Sequence, residues 1–338
     1  MKAFVTSECP LFWDEFVQAN SSLLFHRSIW ARVLQDGYGG TPLFCWLETE
    51  ASPVVGMMGL VMDFKVVRVL YAALPYGGLI GDDSAAPDFF RIVEPELRKH
   101  GVHKIQIPEP RHAPILERAG FTSEEIARHQ VNVSGHDAES LEASFPRSVR
   151  KAIRKSRKEN IEIREVLDRS EIKSVFDLYM KTMAHNKAAA KYPIGRFLSI
   201  FDYLVPKGLG VILIASCNGR LVGSNTLVCS DDTVHDIQLS YDHVYQHVRP
   251  NDALVWASLQ WTMDKGKKWF DFMGSHAGDV SLEKFKSKWG AQRTTTCNYT
   301  KTLSPLRGAC WSAVLKMAGH PMGGWFIRLL RKANAQQS

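Results

Sequence analysis

Apolar and polar positions are most regularly ordered between residues 171 and 303. Over 171–187, Ile172, Val175, Phe176, Tyr179, Met180 and Met183 recur at helical spacing, which predicts an amphipathic helix. GVILIASC (210–217) is an apolar run of strand length, and Asn218-Gly219 is a favoured hairpin turn. LVGSNTLVC (221–229) returns as a second strand, SDDT turns the chain again, and VHDIQLSY (234–241) alternates as a third. RPNDAL then opens a helix: Asn251 or Asp252 is suited to cap it, and Leu254, Ser258, Trp261 and Lys265 follow at turn spacing. Gly266 suits the position just past its end. KWFDFMG (268–274) reads as a fourth strand, LEKFKSKWG (282–290) as a short helix and TTTCNYTKTL (294–303) as a last strand. This order gives an α+β plan with a mixed, mostly antiparallel sheet flanked by helices.

The first half repeats the pattern in a paler form. LFCWLETEASPVVGMMGLVM (43–62) reads like 211–229, LRKHGVHKIQI (97–107) like 263–272, and ILERAGF (115–121) like LEKFKSKWG. Gly56 and Gly223, Gly101 and Gly266, and Leu116 and Leu282 are separated by 167, 165 and 166 residues. Three matches in order at nearly one offset predict two copies of one fold. The boundaries expected are 1–140 for the first copy, 141–303 for the second and 304–338 for C-terminal amphipathic helices.

Composition narrows the class. The chain has 338 residues, 45% apolar and 23% charged, enough for a full core. Its net charge of +7 favours an anionic partner. Six scattered cysteines form no CxxC or Cys/His cluster, so no metal site is expected and reduced thiols in a cytoplasmic protein are. The N-terminus lacks the apolar segment of a signal peptide, and VVGMMGLVM (54–62) is too short to span a bilayer.

Several segments carry a family resemblance: LFHRSIWARVLQDGYGG (24–40) with its Trp30, LPYGG (74–78) with Tyr76, FPRSVRKAIRKSRKENIEI (145–163), RPNDALVWASLQWTMDKGKKWFDFMGS (249–275) and FKSKWGA (285–291). In this combination, over roughly residues 4–303, the chain resembles the FemAB family of tandem GNAT-fold enzymes, which attach aminoacyl or acyl groups to amines. The resemblance implies two tandem GNAT-like domains, the second carrying the chemistry. It implies no tightly bound cofactor and an acyl-CoA, acyl-carrier protein or aminoacyl-tRNA donor as co-substrate. Two departures stand out. The turn that would hold a CoA pyrophosphate reads HVRPNDAL, with Pro250 and no glycine, and Leu34 stands where relatives acting on cell-wall precursors tend to have a lysine.

The candidate residues follow. From Arg147 to Lys158, seven of twelve residues are basic, and Arg147, Arg150 and Arg154 share a helical face. That face suits a phosphate-bearing substrate or tRNA, and equally a solvated surface or a linker between the copies. No aromatic residues interleave, so sequence-specific reading of nucleic acid, DNA included, is not expected. Lys286 matches the signature lysine, to which the resemblance gives stabilisation of the tetrahedral oxyanion or substrate orientation; on residues alone it also reads as a surface lysine, as does Lys288. Asp271, Tyr241, Asp242 and His276 are candidates for proton transfer near strand ends, Asp271 alternatively as a structural cap. Asn251, Tyr76 and Trp30 are candidates for substrate contact. Trp311, Val314, Leu315, Ala318, Trp325, Phe326, Leu329 and Leu330 lie at helical spacing, for packing on the core or for resting on an anionic membrane surface.

The function expected is an N-acyltransferase acting on an amine of a cell-envelope sugar, peptide or related metabolite, small or lipid-linked. The alternatives are an acyltransferase of polysaccharide or lipid assembly that depends on acyl-CoA or acyl-carrier protein, and a non-catalytic tandem module binding tRNA or another anion.

Overall fold

The computed structural model describes residues 1–108, 112–276 and 279–319. Thirteen strands form one continuous sheet: β1 (Lys2–Thr6), β2 (Thr41–Thr49), β3 (Ser52–Asp63), β4 (Arg68–Ala72), β5 (Ile80–Gly81), β6 (Lys104–Pro108), β7 (Thr122–Asn132), β8 (Ile161–Glu165), β9 (Gly210–Cys217), β10 (Arg220–Cys229), β11 (Thr233–Tyr241), β12 (Trp269–His276) and β13 (Gln292–Thr302). The helices are α1 (Trp13–Asn20), α2 (Ser28–Tyr38), α3 (Ala86–Lys99), α4 (Ala113–Arg118), α5 (Ala138–Ser144), α6 (Arg147–Lys158), α7 (Ile172–His185), α8 (Ile194–Tyr203), α9 (Pro250–Asp264), α10 (Val280–Ser287) and α11 (Pro305–Gly319). The mixed α+β architecture is the one the apolar pattern predicts, and most elements of the second half fall within two residues of their expected ends.

The duplication is visible in the order of elements. β2-β3-β4-α3-β6-α4 is matched by β9-β10-β11-α9-β12-α10, and in each half the third meander strand pairs in parallel with the strand after the helix, β4 with β6 and β11 with β12. The strands that follow α4 and α10 are exchanged. β13 pairs with β6 of the first half, β7 pairs with β12 of the second, and β7 and β13 pair with each other. The two halves are thereby stitched into one sheet by two strands that each pack in the core of the other half: Tyr299 of β13 packs in the first-half core and Val131 of β7 in the second-half core.

Local chemistry differs from expectation in a few places. Neither Asn251 nor Asp252 caps α9: the N-cap is Arg249, in the left-handed region at φ 68°, and Pro250 opens the helix. Pro is well suited there because the first N–H of a helix has no partner to lose. Residues 161–163, quoted with the basic helix, belong to edge strand β8, and α8 is a helix the sequence reading did not assign, with Ile194, Phe197, Leu198 and Phe201 at helical spacing. Gly223 and Gly56 are both sites of close helix approach, but to different helices. A Cβ on Gly223 would lie 2.8 Å from Leu254 of α9, and one on Gly56 would lie 3.1 Å from Phe16 of α1.

Among the described residues no helix is long and apolar enough to cross a membrane. Trp311 of α11 packs on Phe64 with ring centroids 4.8 Å apart. The rest of the C-terminal amphipathic pattern, Trp325 to Leu330, lies outside the described residues.

Candidate active site

β11 and β12 are hydrogen-bonded only from Thr233–His235 to Trp269–Asp271. Beyond that β11 continues beside β10 to Tyr241, while β12 shifts register against β7 between Asp271 and Gly274. Met273 takes a φ of 64° at the shift, a conformation that costs a non-glycine residue energy and marks a constrained turn. The strands therefore diverge, and a wedge opens past Asp236 and Asp271.

Lys286 fills one side of this wedge. α10 is started by Asp279, whose carboxylate accepts the Leu282 N–H at 3.1 Å. Two turns on, Lys286 is only 4% exposed. Its ammonium donates to Ser275 Oγ at 2.7 Å, to the Met273 carbonyl at 2.9 Å and to the Gly274 carbonyl at 3.4 Å. These acceptors lie on the stretch of β12 that has left β11. No carboxylate is within ion-pairing distance of it among the described residues. Burial lowers its pKa, opposed by the charges of Asp236 and Asp271. The surface reading of Lys286 is thus overturned. Lys288 is not free in solvent either, since it pairs with Asp252 at 2.5 Å and lies 4.4 Å from the Phe285 ring.

Asp271 is fully buried and serves as an anchor. Its Oδ2 accepts from Arg128 Nε at 2.9 Å and Nη2 at 2.7 Å, and His235 Nδ1 lies 3.1 Å away. Its Oδ1 accepts the Met273 N–H at 2.9 Å, which holds the constrained turn. On the far side of the imidazole, Ser230 Oγ accepts the Leu24 N–H at 3.0 Å and lies 2.9 Å from His235 Nε2. Ser230 therefore has its own proton to give to Nε2, leaving Nδ1–H to face Asp271. Burial alone would raise the Asp271 carboxyl; the His235 hydrogen bond and the Arg128 charge outweigh it and hold the pKa below the ordinary value. A carboxylate held this way is a poor proton acceptor, so a base role for Asp271 does not fit its surroundings.

Asp236, absent from the sequence-based candidates, has the opposite environment. Next to His235 on β11, it points to the other face, where Asn225 and Ser258 lie. Burial raises its pKa to about 7, moderated by the Lys286 charge and the Asn225 hydrogen bond and reinforced by Asp271. The signal in the sequence was a carboxylate in the middle of a strand buried on both sides.

On the His235 face the wedge opens into a cavity of about 200 Å³ between the halves. Met273, Gly274 and Ser275 form one wall, Pro75 and Tyr76 another, and Tyr192 and Arg196 a third. Arg196, from α8, is 4% exposed, and its guanidinium lies 3.8 Å from the Tyr192 ring. Among the described residues its Nη2 reaches only the Ile237 carbonyl, at 3.4 Å, and Nη1 has no partner. α8 is held there by α2: the helices cross so closely that a Cβ on Gly195 would lie 3.0 Å from the Gly37 carbonyl.

The remaining candidates scatter. Tyr76 borders the cavity, under the Arg128 guanidinium at 4.4 Å. Trp30, at 2% exposure, is core: it packs on Phe25 and donates to the Leu74 carbonyl, supporting the Tyr76 loop rather than touching a substrate. Tyr241 bonds His243 at 3.1 Å, and burial raises its pKa. Asp242 accepts from Lys181 at 2.7 Å and from the Val244 N–H at 3.2 Å; the Lys181 hydrogen bond lowers its pKa, so it acts as a turn cap and does not suit a base. Asn251 sits in the first turn of α9 with its side-chain oxygen buried and unpartnered. His276 ends β12 opposite Ile126, and its side chain is outside the described ones. In α6, Val149 and Ile153 face the core, Arg147 and Arg154 are exposed and Arg150 is half-buried.

Residues 143–287 match a family model described as an acetyltransferase (GNAT) domain. No curated protein matches the chain. Among solved structures it is similar to FemX, at 13% identity over 88% of this chain and 97% of that one, with a TM-score of 0.66. It is also similar to the C-terminal domain of a putative lysylphosphatidylglycerol synthetase from Agrobacterium fabrum, at 13% identity, covering 91% and 99%, with a TM-score of 0.57. A tandem GNAT protein from the clavulanic acid biosynthesis pathway matches at 10% identity, covering 80% and 85%, with a TM-score of 0.58. Residues 143–287 thus match the GNAT acetyltransferase domain, and the chain shares the FemX fold over most of its length.

Proposed function

We propose that the protein is an N-acyltransferase that moves an acyl or aminoacyl group onto an amine of an anionic acceptor, such as a cell-envelope sugar, peptide or related metabolite. The observation that carries this reading is the buried Lys286 ammonium at the β11–β12 split with Asp236 beside it. The incoming amine attacks the acyl carbonyl, and Asp236, with a pKa of about 7, takes the amine proton. The carbonyl oxygen becomes an oxyanion, which Lys286 stabilises by giving up its longest bond, to the Gly274 carbonyl. Collapse restores the carbonyl and expels the donor's leaving group. Arg196 supports an acceptor with a carboxylate or phosphate, because a buried guanidinium with an unused edge matches such a group.

The start of α9 argues against a donor held as an ordinary CoA pyrophosphate. Pro250 removes an N–H, and the Asp252 carboxylate occupies the first turn. A macromolecular donor, aminoacyl-tRNA or acyl-carrier protein, gripped partly by Arg147, Arg150 and Arg154, fits better. The fold shared with a putative lysylphosphatidylglycerol synthetase, named for a lipid product, is consistent with a lipid-linked acceptor. The test is a donor panel of labelled acyl-CoA, acyl-carrier protein and aminoacyl-tRNA with amine acceptors that carry or lack an anionic group. Transfer from none of these donors contradicts the proposal.

A further inference from the structure

A second cavity lies on the other side of Tyr76, and we propose that it binds a small oxyanion, a carboxylate or a phosphate, as a site separate from the acceptor cleft. It encloses about 280 Å³, room for roughly nine waters at their volume in the liquid. One wall is the loop after α1, with Ser21, Ser22 and His26; the other is Arg128 of β7 and Thr296 of β13. Tyr76 and Thr296 line both cavities and so separate this one from the cleft that holds Arg196.

Two features give the site its sign. Its lining contains one guanidinium, an imidazole, hydroxyls and no Asp or Glu. Arg128 spends Nε and Nη2 on a single oxygen of Asp271, and its Nη1 has no hydrogen bond among the described residues. A carboxylate or phosphate can accept from Arg128 Nη1 and from the Ser and Thr hydroxyls of the lining, which a water-filled void serves only in part. The placement also couples the site to the wedge. An anion on Arg128 contends with Asp271 for the guanidinium, and Asp271 holds the Met273 turn whose carbonyl receives Lys286.

The inference does not rest on acyl transfer, so it is tested by binding alone. The full chain is titrated with inorganic phosphate and, separately, with acetate, followed by calorimetry and by the Met273 amide resonance. Saturable binding of either probe that moves the Met273 resonance and survives Arg196→Gln is expected, and which probe binds tells phosphate from carboxylate. Ser22→Trp, at the exposed rim, and Arg128→Lys should each weaken it roughly tenfold or more. Arg128→Lys risks the fold; Ser22→Trp, which leaves the Asp271 network whole, then decides alone. Absence of saturable binding, or binding lost in Arg196→Gln and retained in Ser22→Trp, overturns the proposal.

Discussion

Lys286 Nζ and Ser275 Oγ meet 2.7 Å apart at the point where β12 has parted from β11. A lysine so placed forgoes hydration for three acceptors and, among the described residues, no ion-paired carboxylate, which is unfavourable for stability and useful for stabilising developing negative charge. Lys286→Met should therefore lower transfer by about 10²–10³-fold, the usual cost of losing one oxyanion donor. Its melting temperature should stay the same or rise. A variant that loses activity together with its fold would show a structural lysine instead.

Asp236, the proposed base, should set a pH dependence of both rate and stability. As the base it must be ionised, so the rate should rise with pH through about 7 and the Asp236→Asn variant should lose that limb. For stability, the folded-state pKa is raised above the unfolded value. The contribution is therefore full below the unfolded pKa and lost as pH rises toward about 7. Asp236→Asn should be more stable relative to the parent at pH 8 than at pH 4, measured by denaturant titration at both.

Asp271 has the opposite sign. Its folded pKa is lowered, so its contribution is present above the unfolded carboxylate value and is lost as pH falls through the folded one. Arg128→Ala leaves the Asp271 charge buried beside a neutral His235, and it should cost about 3–5 kcal/mol in chemical denaturation. A cost near that of an exposed pair, below about 1 kcal/mol, contradicts the anchor role.

The exchange of β7 and β13 predicts how the chain unfolds. Each half holds a strand whose neighbours belong to the other, so neither sheet closes alone. Calorimetry of the full chain should show one cooperative transition, and two well-separated transitions contradict this. The domain boundary near residue 140 remains a division of sequence copies that share strands.

Much of this was legible beforehand. The second-half elements follow apolar periodicity closely, because β9 and β10 are buried on both faces and α9 has strong start and stop signals. Lys286 was legible through its setting between Phe285 and Trp289, although its burial was not. Arg196 and Asp236 were not legible. One is a lone cation on an amphipathic helix, the other a lone carboxylate in an apolar strand, and their roles arise only when α8, β11 and β12 converge. The strand exchange was also hidden, since β7 and β13 read the same whichever sheet they join.

Arg196 offers a separate handle on the acceptor. Arg196→Gln removes a buried charge that has no carboxylate partner among the described residues, so stability should hold. KM for anionic acceptors should rise about tenfold or more, with kcat less affected, as expected for a group that binds the substrate's unreactive end. Equal KM values for acceptors with and without the anionic group would remove Arg196 from recognition.

The central claim is that Lys286 stabilises the transition state of acyl transfer. It is tested most directly by single-turnover transfer with the best donor of the panel, comparing the parent with Lys286→Met at saturating acceptor. The account predicts a loss of about 10²-fold or more in the chemical step with the acceptor still bound; an unchanged single-turnover rate in a folded Lys286→Met protein would contradict it.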